Sequence, residues 1–190
     1  MGAIVRRETR ETYVSVEPCE ESKVEVEIPF FKHMLETLLK HSGLKLCVEG
    51  KDLLGYDDHH LVEDVAIVLG RVLKEMAKER LEEGRLERFA WSIVPMDEAL
   101  ALCSMDFSGR GSFHGDFEFK REEIGGLALE NVQHFFETLA REAGLTLHLR
   151  LLSGENDHHK AEALFKAFAK CLAQSFGTRG GTSTKGLLDL

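Results

Sequence analysis

At 190 residues and 21.4 kDa the chain has room for one ordinary domain, or for two small ones that share a core. Apolar residues make up 43% and charged residues 30% with only 3 Pro, a balance that excludes a disordered or collagen-like chain and predicts a packed core. A formal charge of −9 disfavours nucleic acid as a partner, and no apolar run approaches the ~20 residues of a membrane helix, so a soluble, cytoplasmic protein is expected.

The opening stretch MGAIVRRETRETYV has no cleavable apolar core. TYVSVEP and SKVEVEIPF then alternate apolar and polar residues, and the acidic PCEES between them predicts two antiparallel strands joined as a hairpin. Phe31, Met34, Leu35, Leu38 and Leu39 fall at helical spacing over Phe30 to Lys40, Ser42-Gly43 stops the helix, and LKLCVEG supplies another strand. Asp57 to Glu83 carries Leu61, Val65, Val68, Leu69, Val72, Leu73 and Met76 on one face and reads as a long amphipathic helix. RFAWSIVPM and ALALCSMDFS are two further strands meeting at Asp97-Glu98, and FHGDFEF is a third. The cysteines Cys19, Cys47, Cys103 and Cys171 form no CxxC pair and lie in or beside apolar stretches, which predicts buried thiols in a reducing compartment.

From His134 the earlier pattern returns. His33 aligns with His134, Glu36-Thr37-Leu38 with Glu137-Thr138-Leu139, Gly43-Leu44 with Gly144-Leu145, Asp58-His59-His60 with Asp157-His158-His159, and Glu63 with Glu162. Leu-rich helices converge easily, but chance does not place His, Asp-His-His and Glu at matching offsets, so the chain is read as an internal duplication. The expected class is α+β: two halves, each a small, mostly antiparallel sheet with two helices on one face, and the helices packed between the sheets. Residues 1–84 and 85–177 form the halves, and 178–190, rich in Gly, Ser, Thr and Lys, a flexible tail.

Six of the nine histidines lie in the duplicated motifs. In DHHLVED and DHHKAEA the Glu follows the two His by four and three residues, so on a helix it shares a face with either imidazole. Adjacent helical positions diverge by about 100°, so each HH pair is expected to serve two different ions. The alternative is that Asp57-Asp58 and Asp157 are N-caps and the histidines ordinary first-turn residues. His⁺ at a helix N-terminus opposes the dipole, however, so two adjacent histidines there favour the neutral form that a metal needs. The candidate ligands are therefore His33, His59, His60, Glu63, His134, His158, His159 and Glu162, enough for two sites of three His and one Glu. Such N/O ligation fits manganese, iron or zinc, and leaves open positions on an octahedral ion. His114 and His148 are read as strand positions outside this set.

RxTxET at Arg7 to Thr12, HxLxxLxxH from His33 to His41, DDHHLVED, Arg88-Phe89, PMDEAL, DFSGR ending at Arg110, HFF at His134, NDHHKAEALFKAF and STKG at Ser183 to Gly186 occur in one order along nearly the whole chain. In that order they resemble the imidazoleglycerol-phosphate dehydratase family of histidine biosynthesis, in its monofunctional form. The resemblance implies conversion of imidazole glycerol phosphate to imidazole acetol phosphate and water, two manganese ions per subunit held by the eight residues above, and a 24-subunit homo-oligomer. It also implies substrate contacts by Glu11, His41, Arg88, Arg110, Lys166, Ser183, Thr184 and Lys185, and it alone makes Glu11 the proton shuttle.

The reaction explains why metals are needed. The proton to be lost sits on a carbon that no carbonyl acidifies. A ring held as imidazolate between two cations can expel hydroxide and give a diazafulvene-like intermediate with an acidic neighbouring proton. That requires two ions at opposite nitrogens of the substrate ring, an arrangement that divergent HH pairs, with ligands drawn from adjacent subunits, would provide. A dinuclear metallohydrolase is the rival enzyme, but histidines outnumber carboxylates three to one among the candidates, whereas such sites use bridging carboxylates. A metal-nucleated assembly protein is the non-enzymatic rival.

Overall fold

The computed structural model describes residues 4–178. The first half runs β1 (Val5–Glu8), β2 (Thr12–Pro18), β3 (Lys23–Val26), α1 (Pro29–Ser42), β4 (Leu46–Asp52) and α2 (His59–Glu82). The second runs β5 (Phe89–Met96), β6 (Ala99–Asp106), β7 (Ser112–Asp116), a minimal hairpin β8 (Glu123–Ile124) and β9 (Leu127–Ala128), α3 (Glu130–Ala143), β10 (Thr146–Ser153) and α4 (Asp157–Phe176). The two four-stranded sheets have orders β1-β2-β4-β3 and β5-β6-β10-β7, the same path traced twice. The α+β class and the duplicated architecture expected from the repeat are therefore present.

One pairing differs from expectation. β2 and β3 are not a hairpin: β4 lies between them, antiparallel to β2 and parallel to β3. β2 instead turns back on β1, a strand that the sequence pattern did not single out. The reason is burial. β4 places Leu46, Val48 and Gly50 in the core and suits a central position, whereas the short β3 points Lys23 and Glu25 to solvent and suits an edge. The parallel β3–β4 pair is reached through α1 as a crossover, and β7, α3 and β10 repeat the arrangement.

The helices pack across the duplication, α1 against α4 and α2 against α3, while α2 also covers β2 and α4 covers β5 and β6. One continuous core results. At its centre Phe31 of α1 meets Phe135 of α3 edge-on at 5.4 Å, and Phe135 and Phe136 pack on Phe165 of α4 at 5.4 and 4.8 Å. The α2–α3 contact is close because Gly70 has no side chain: a Cβ there would stand 2.8 Å from Glu142 Cβ and 2.9 Å from the Leu139 carbonyl oxygen.

The expectation of four buried thiols holds only for Cys103 and Cys171. Cys19 and Cys47 are half-buried, and both thiols point at the Glu21 carbonyl, at 3.0 and 3.7 Å. β4 is half-exposed on its outer face, and Cys47 points that way.

Candidate metal centres and active site

Two groups of convergent donors stand where the helices of opposite halves meet. His33 from α1 joins His158 and Glu162 from α4, and His134 from α3 joins His59 and Glu63 from α2. In each group the ligand atoms lie within 4.8 Å of one another. The first imidazole of each HH pair and the Glu four residues later share a helix face, as the i, i+4 spacing requires.

In the α1–α4 group His158 Nε2 is 3.3 Å and His33 Nε2 3.8 Å from Glu162 Oε2, while Lys166 Nζ lies 2.8 Å from Glu162 Oε1. Burial alone would raise the Glu162 carboxyl, but the His33 ring and the Lys166 ammonium overcome it and hold the pKa at about 2. Burial pushes His158 down, toward the neutral imidazole that coordinates metals. In the α2–α3 group His59 and His134 stack at 4.5 Å, and His134 Nε2 is 3.4 Å from Glu63 Oε1. That nitrogen is buried and its approach to Glu63 does not make a hydrogen bond. Imidazole nitrogens and one carboxylate per group, one of the nitrogens orphaned, are a donor set that fits a divalent transition metal.

The duplication is imperfect around the two groups. Asn131, buried on α3, places its Oδ1 3.0 Å from His59 Nδ1, whereas its repeat counterpart Phe30 packs its ring on His158 at 5.0 Å. Asn131 carries no signal in the sequence pattern beyond its place one turn before His134. The caps differ from expectation too. Asp57 and Asn156 accept from the N–H groups of His59 and His158, each at 2.9 Å, whereas the Asp of each DHH turns aside. Asp58 accepts from Ala128 N–H, and Asp157 from Lys120 and Arg121 N–H and from the buried Lys160 ammonium.

The second imidazole of each pair stands outside these groups. His60 Nδ1 is 2.9 Å from Glu11 Oε2, and His159 Nδ1 is 2.7 Å from Glu98 Oε2. His59 and His60 rings lie 5.8 Å apart and edge-on, His158 and His159 rings 6.1 Å apart and edge-on, the divergence that adjacent helical positions impose. Thus six of the eight candidate ligands are brought together in threes, and His60 and His159 are left outside both groups.

The candidate substrate residues are distributed unevenly. Glu11 and Lys166 touch the site through His60 and Glu162. His41 is buried in the last turn of α1. Arg88 is clamped in a two-point pair with Asp106, at 2.6 and 3.0 Å, and lies over the Phe89 ring; Arg110 is exposed in the loop after β6. Ser183, Thr184 and Lys185 lie outside the described residues. His114 and His148 stack on each other across β7 and β10 at 4.4 Å and belong to neither group.

The family model described as imidazoleglycerol-phosphate dehydratase matches residues 26–172. An imidazoleglycerol-phosphate dehydratase of Metallosphaera sedula is 46% identical over 188 residues, covering 96% of each chain, and one of Caldivirga maquilingensis is 44% identical over 192 residues, covering 98% of each. Among solved structures, the Staphylococcus aureus imidazoleglycerol-phosphate dehydratase superposes with a TM-score of 0.79 at 33% identity, covering 95% of this chain and 100% of that one. The Pyrococcus furiosus enzyme, in complex with (S)-C348, gives 0.75 at 32% identity, covering 96% and 99%. With the repeat, the paired histidine groups and these likenesses all in agreement, the chain belongs to the imidazoleglycerol-phosphate dehydratase family, the dehydratases of histidine biosynthesis.

Proposed function

We propose that the enzyme dehydrates imidazole glycerol phosphate with two manganese ions per chain, held by His33, His59, His60, Glu63, His134, His158, His159 and Glu162. The observation that carries this reading is the repetition of one donor group: two His and one Glu, assembled twice from helices of opposite halves. Bound by these residues, two cations would supply Lewis acidity toward the substrate's imidazole ring.

The chain's own residues do the rest. Glu11, a carboxylate at the β1–β2 turn with its Oε2 2.9 Å from His60 Nδ1, carries the proton lost from the carbon chain. Lys166 keeps Glu162 ionised and correctly turned. Arg88, Arg110 and the Ser183-Thr184-Lys185 tail, with His41, serve the phosphate and glycerol end of the substrate, where a dianion calls for charge-assisted donors. Asp106 holds the Arg88 guanidinium in one plane while that side chain waits for substrate.

Three donors per group, with His60 and His159 outside both groups, support completion of each site by His60 and His159 of neighbouring copies, in a homo-oligomer of 24 subunits. Phe89, Trp91 and Ile93, all exposed on the outer face of β5, offer apolar surface for such contacts. The halves 1–84 and 85–177 form the catalytic body and 178–190 the phosphate-gripping tail, in a cytoplasmic enzyme; no helix among the described residues is long and apolar enough to cross a membrane.

Metal analysis of the purified protein together with a dehydration assay tests the proposal. Two ions per chain and manganese-dependent formation of imidazole acetol phosphate are expected. Fewer than two ions at full occupancy, or turnover that survives complete chelation, would overturn it.

A further inference from the structure

The two hairpin tips of the duplicated fold make related but different contacts. Glu11 immediately precedes β2 and Glu98 immediately precedes β6, its counterpart in the second half. Each tip sets a carboxylate oxygen on Nδ1 of the second histidine of its own half: Glu11 on His60 at 2.9 Å, Glu98 on His159 at 2.7 Å. Their other oxygens differ. Glu98 Oε1 accepts from the N–H groups of Asn156 at 2.8 Å and Glu155 at 3.2 Å, and the Glu98 carbonyl accepts from Ser153 Oγ at 3.2 Å. The Glu11 carbonyl likewise accepts, from Leu53 N–H at 2.7 Å, but among the described residues its second carboxylate oxygen takes no backbone N–H.

A carboxylate is an acceptor only, so the ring nitrogen facing it carries the proton and the other nitrogen keeps its lone pair. Glu98 is therefore placed to hold His159 as the Nδ1–H tautomer with Nε2 available. Asp97, at the same turn with φ +49°, has its Oδ2 3.4 Å from that nitrogen but makes no hydrogen bond to it, so the Nδ1–Glu98 bond at 2.7 Å decides the tautomer. Both Glu98 oxygens are occupied, one by the two backbone N–H groups and one by the ring nitrogen, so the carboxylate is held in one orientation against His159.

We propose that Glu98 is the positioning residue for His159, fixing the tautomer and ring orientation that a metal ion requires. This rests on His159 being a metal ligand, as argued above. Partners of this kind on ligating histidines typically contribute about 10–100-fold in metal affinity or activity.

Glu98→Gln makes the test sharp. The Gln carbonyl satisfies the Glu155 and Asn156 N–H groups, which leaves its amide NH₂ facing His159 Nδ1 and holds the ring in the opposite tautomer, with the proton on Nε2. Mn²⁺ affinity is measured on the full-length assembled protein by equilibrium dialysis and metal analysis, with thermal unfolding of the metal-free protein alongside. One of the two ions should bind about 10–100-fold more weakly in Glu98→Gln, with metal-free unfolding unchanged. His159→Ala should weaken the same ion, and the double variant should bind no worse than His159→Ala alone. Ser153→Ala, which loosens the loop without touching the ring, should bind normally. Normal affinity in Glu98→Gln with a loss in His159→Ala overturns the role of Glu98 alone. Normal affinity in His159→Ala overturns the ligand assignment beneath it. Additive losses in the double variant, an equal loss in Ser153→Ala, or collapse of the metal-free fold in Glu98→Gln would each replace positioning with a merely structural role.

Discussion

His59 and His134 stack with ring centroids 4.5 Å apart, one from each half of a duplicated chain, and the second group mirrors them with His158 and His33 at 5.6 Å. Neither half contains a complete group. The sites exist because α2 lies on α3 and α4 on α1, so the integrity of the helix packing and the integrity of the donor groups are one property.

Gly70 tests this coupling. A Cβ there meets the Leu139 carbonyl oxygen and Glu142 Cβ at under 3.0 Å, and neither is the end of a flexible side chain. Gly70→Ala should destabilise the protein by about 1–3 kcal/mol, the usual range for overpacking, as read from urea unfolding. It should also weaken metal binding at the His59–Glu63–His134 group more than at the other, which metal titration will resolve.

Asp157 sits beside a ligand but acts on stability. It is buried and takes hydrogen bonds from Lys120 and Arg121 N–H and from Lys160, itself buried at 4% exposure. Asp157→Ala leaves the Lys160 charge with only the Glu118 carbonyl, a situation that costs about 3–5 kcal/mol in buried pairs. Adding Lys160→Met should recover much of the loss in chemical denaturation, since no unpaired charge then remains.

Glu11 is the proposed proton carrier. Glu11→Gln should retain two bound ions and near-normal substrate affinity while kcat falls by about 10²–10⁴-fold, the span of general acid–base contributions. Steady-state kinetics with metal analysis decide it: near-normal turnover removes Glu11 from the chemistry.

The tail prediction addresses the phosphate end. Deleting residues 182–190 removes Ser183, Thr184 and Lys185 and should raise KM for imidazole glycerol phosphate at least about tenfold, the equivalent of one charge-assisted hydrogen bond. An unchanged KM would show that phosphate is gripped elsewhere.

Removing the metal should also reduce particle size if His60 and His159 complete sites on neighbouring copies, because ligand sharing links metal binding to assembly by mass action. Light scattering before and after chelation provides the measurement, and an unaltered mass would place all the ligands within one chain.

Much of the protein is decided by its sequence alone. The periodicity of 57–83 makes a helix, Gly43 ends another, and the spacing of His59 to Glu63 and of His158 to Glu162 sets each pair on one helical face, because these are consequences of local backbone geometry. The duplication, and with it the class of fold, follows from matching offsets of polar residues that packing alone would not select.

Tertiary structure decided which parts meet. Alternation in TYVSVEP and SKVEVEI marks a buried face but names no neighbour, and β4, later in the chain, took the place between them because its Leu46 and Val48 bury better there. The division of six ligands into two groups depends on helices crossing from one half to the other, and the contacts of Asn131 with His59 and of Glu98 with His159 join residues far apart in the chain. Local pattern specifies what a residue can do and which way its side chain leaves the backbone. Only the burial of one continuous core, a property of all the elements at once, specifies whom it meets.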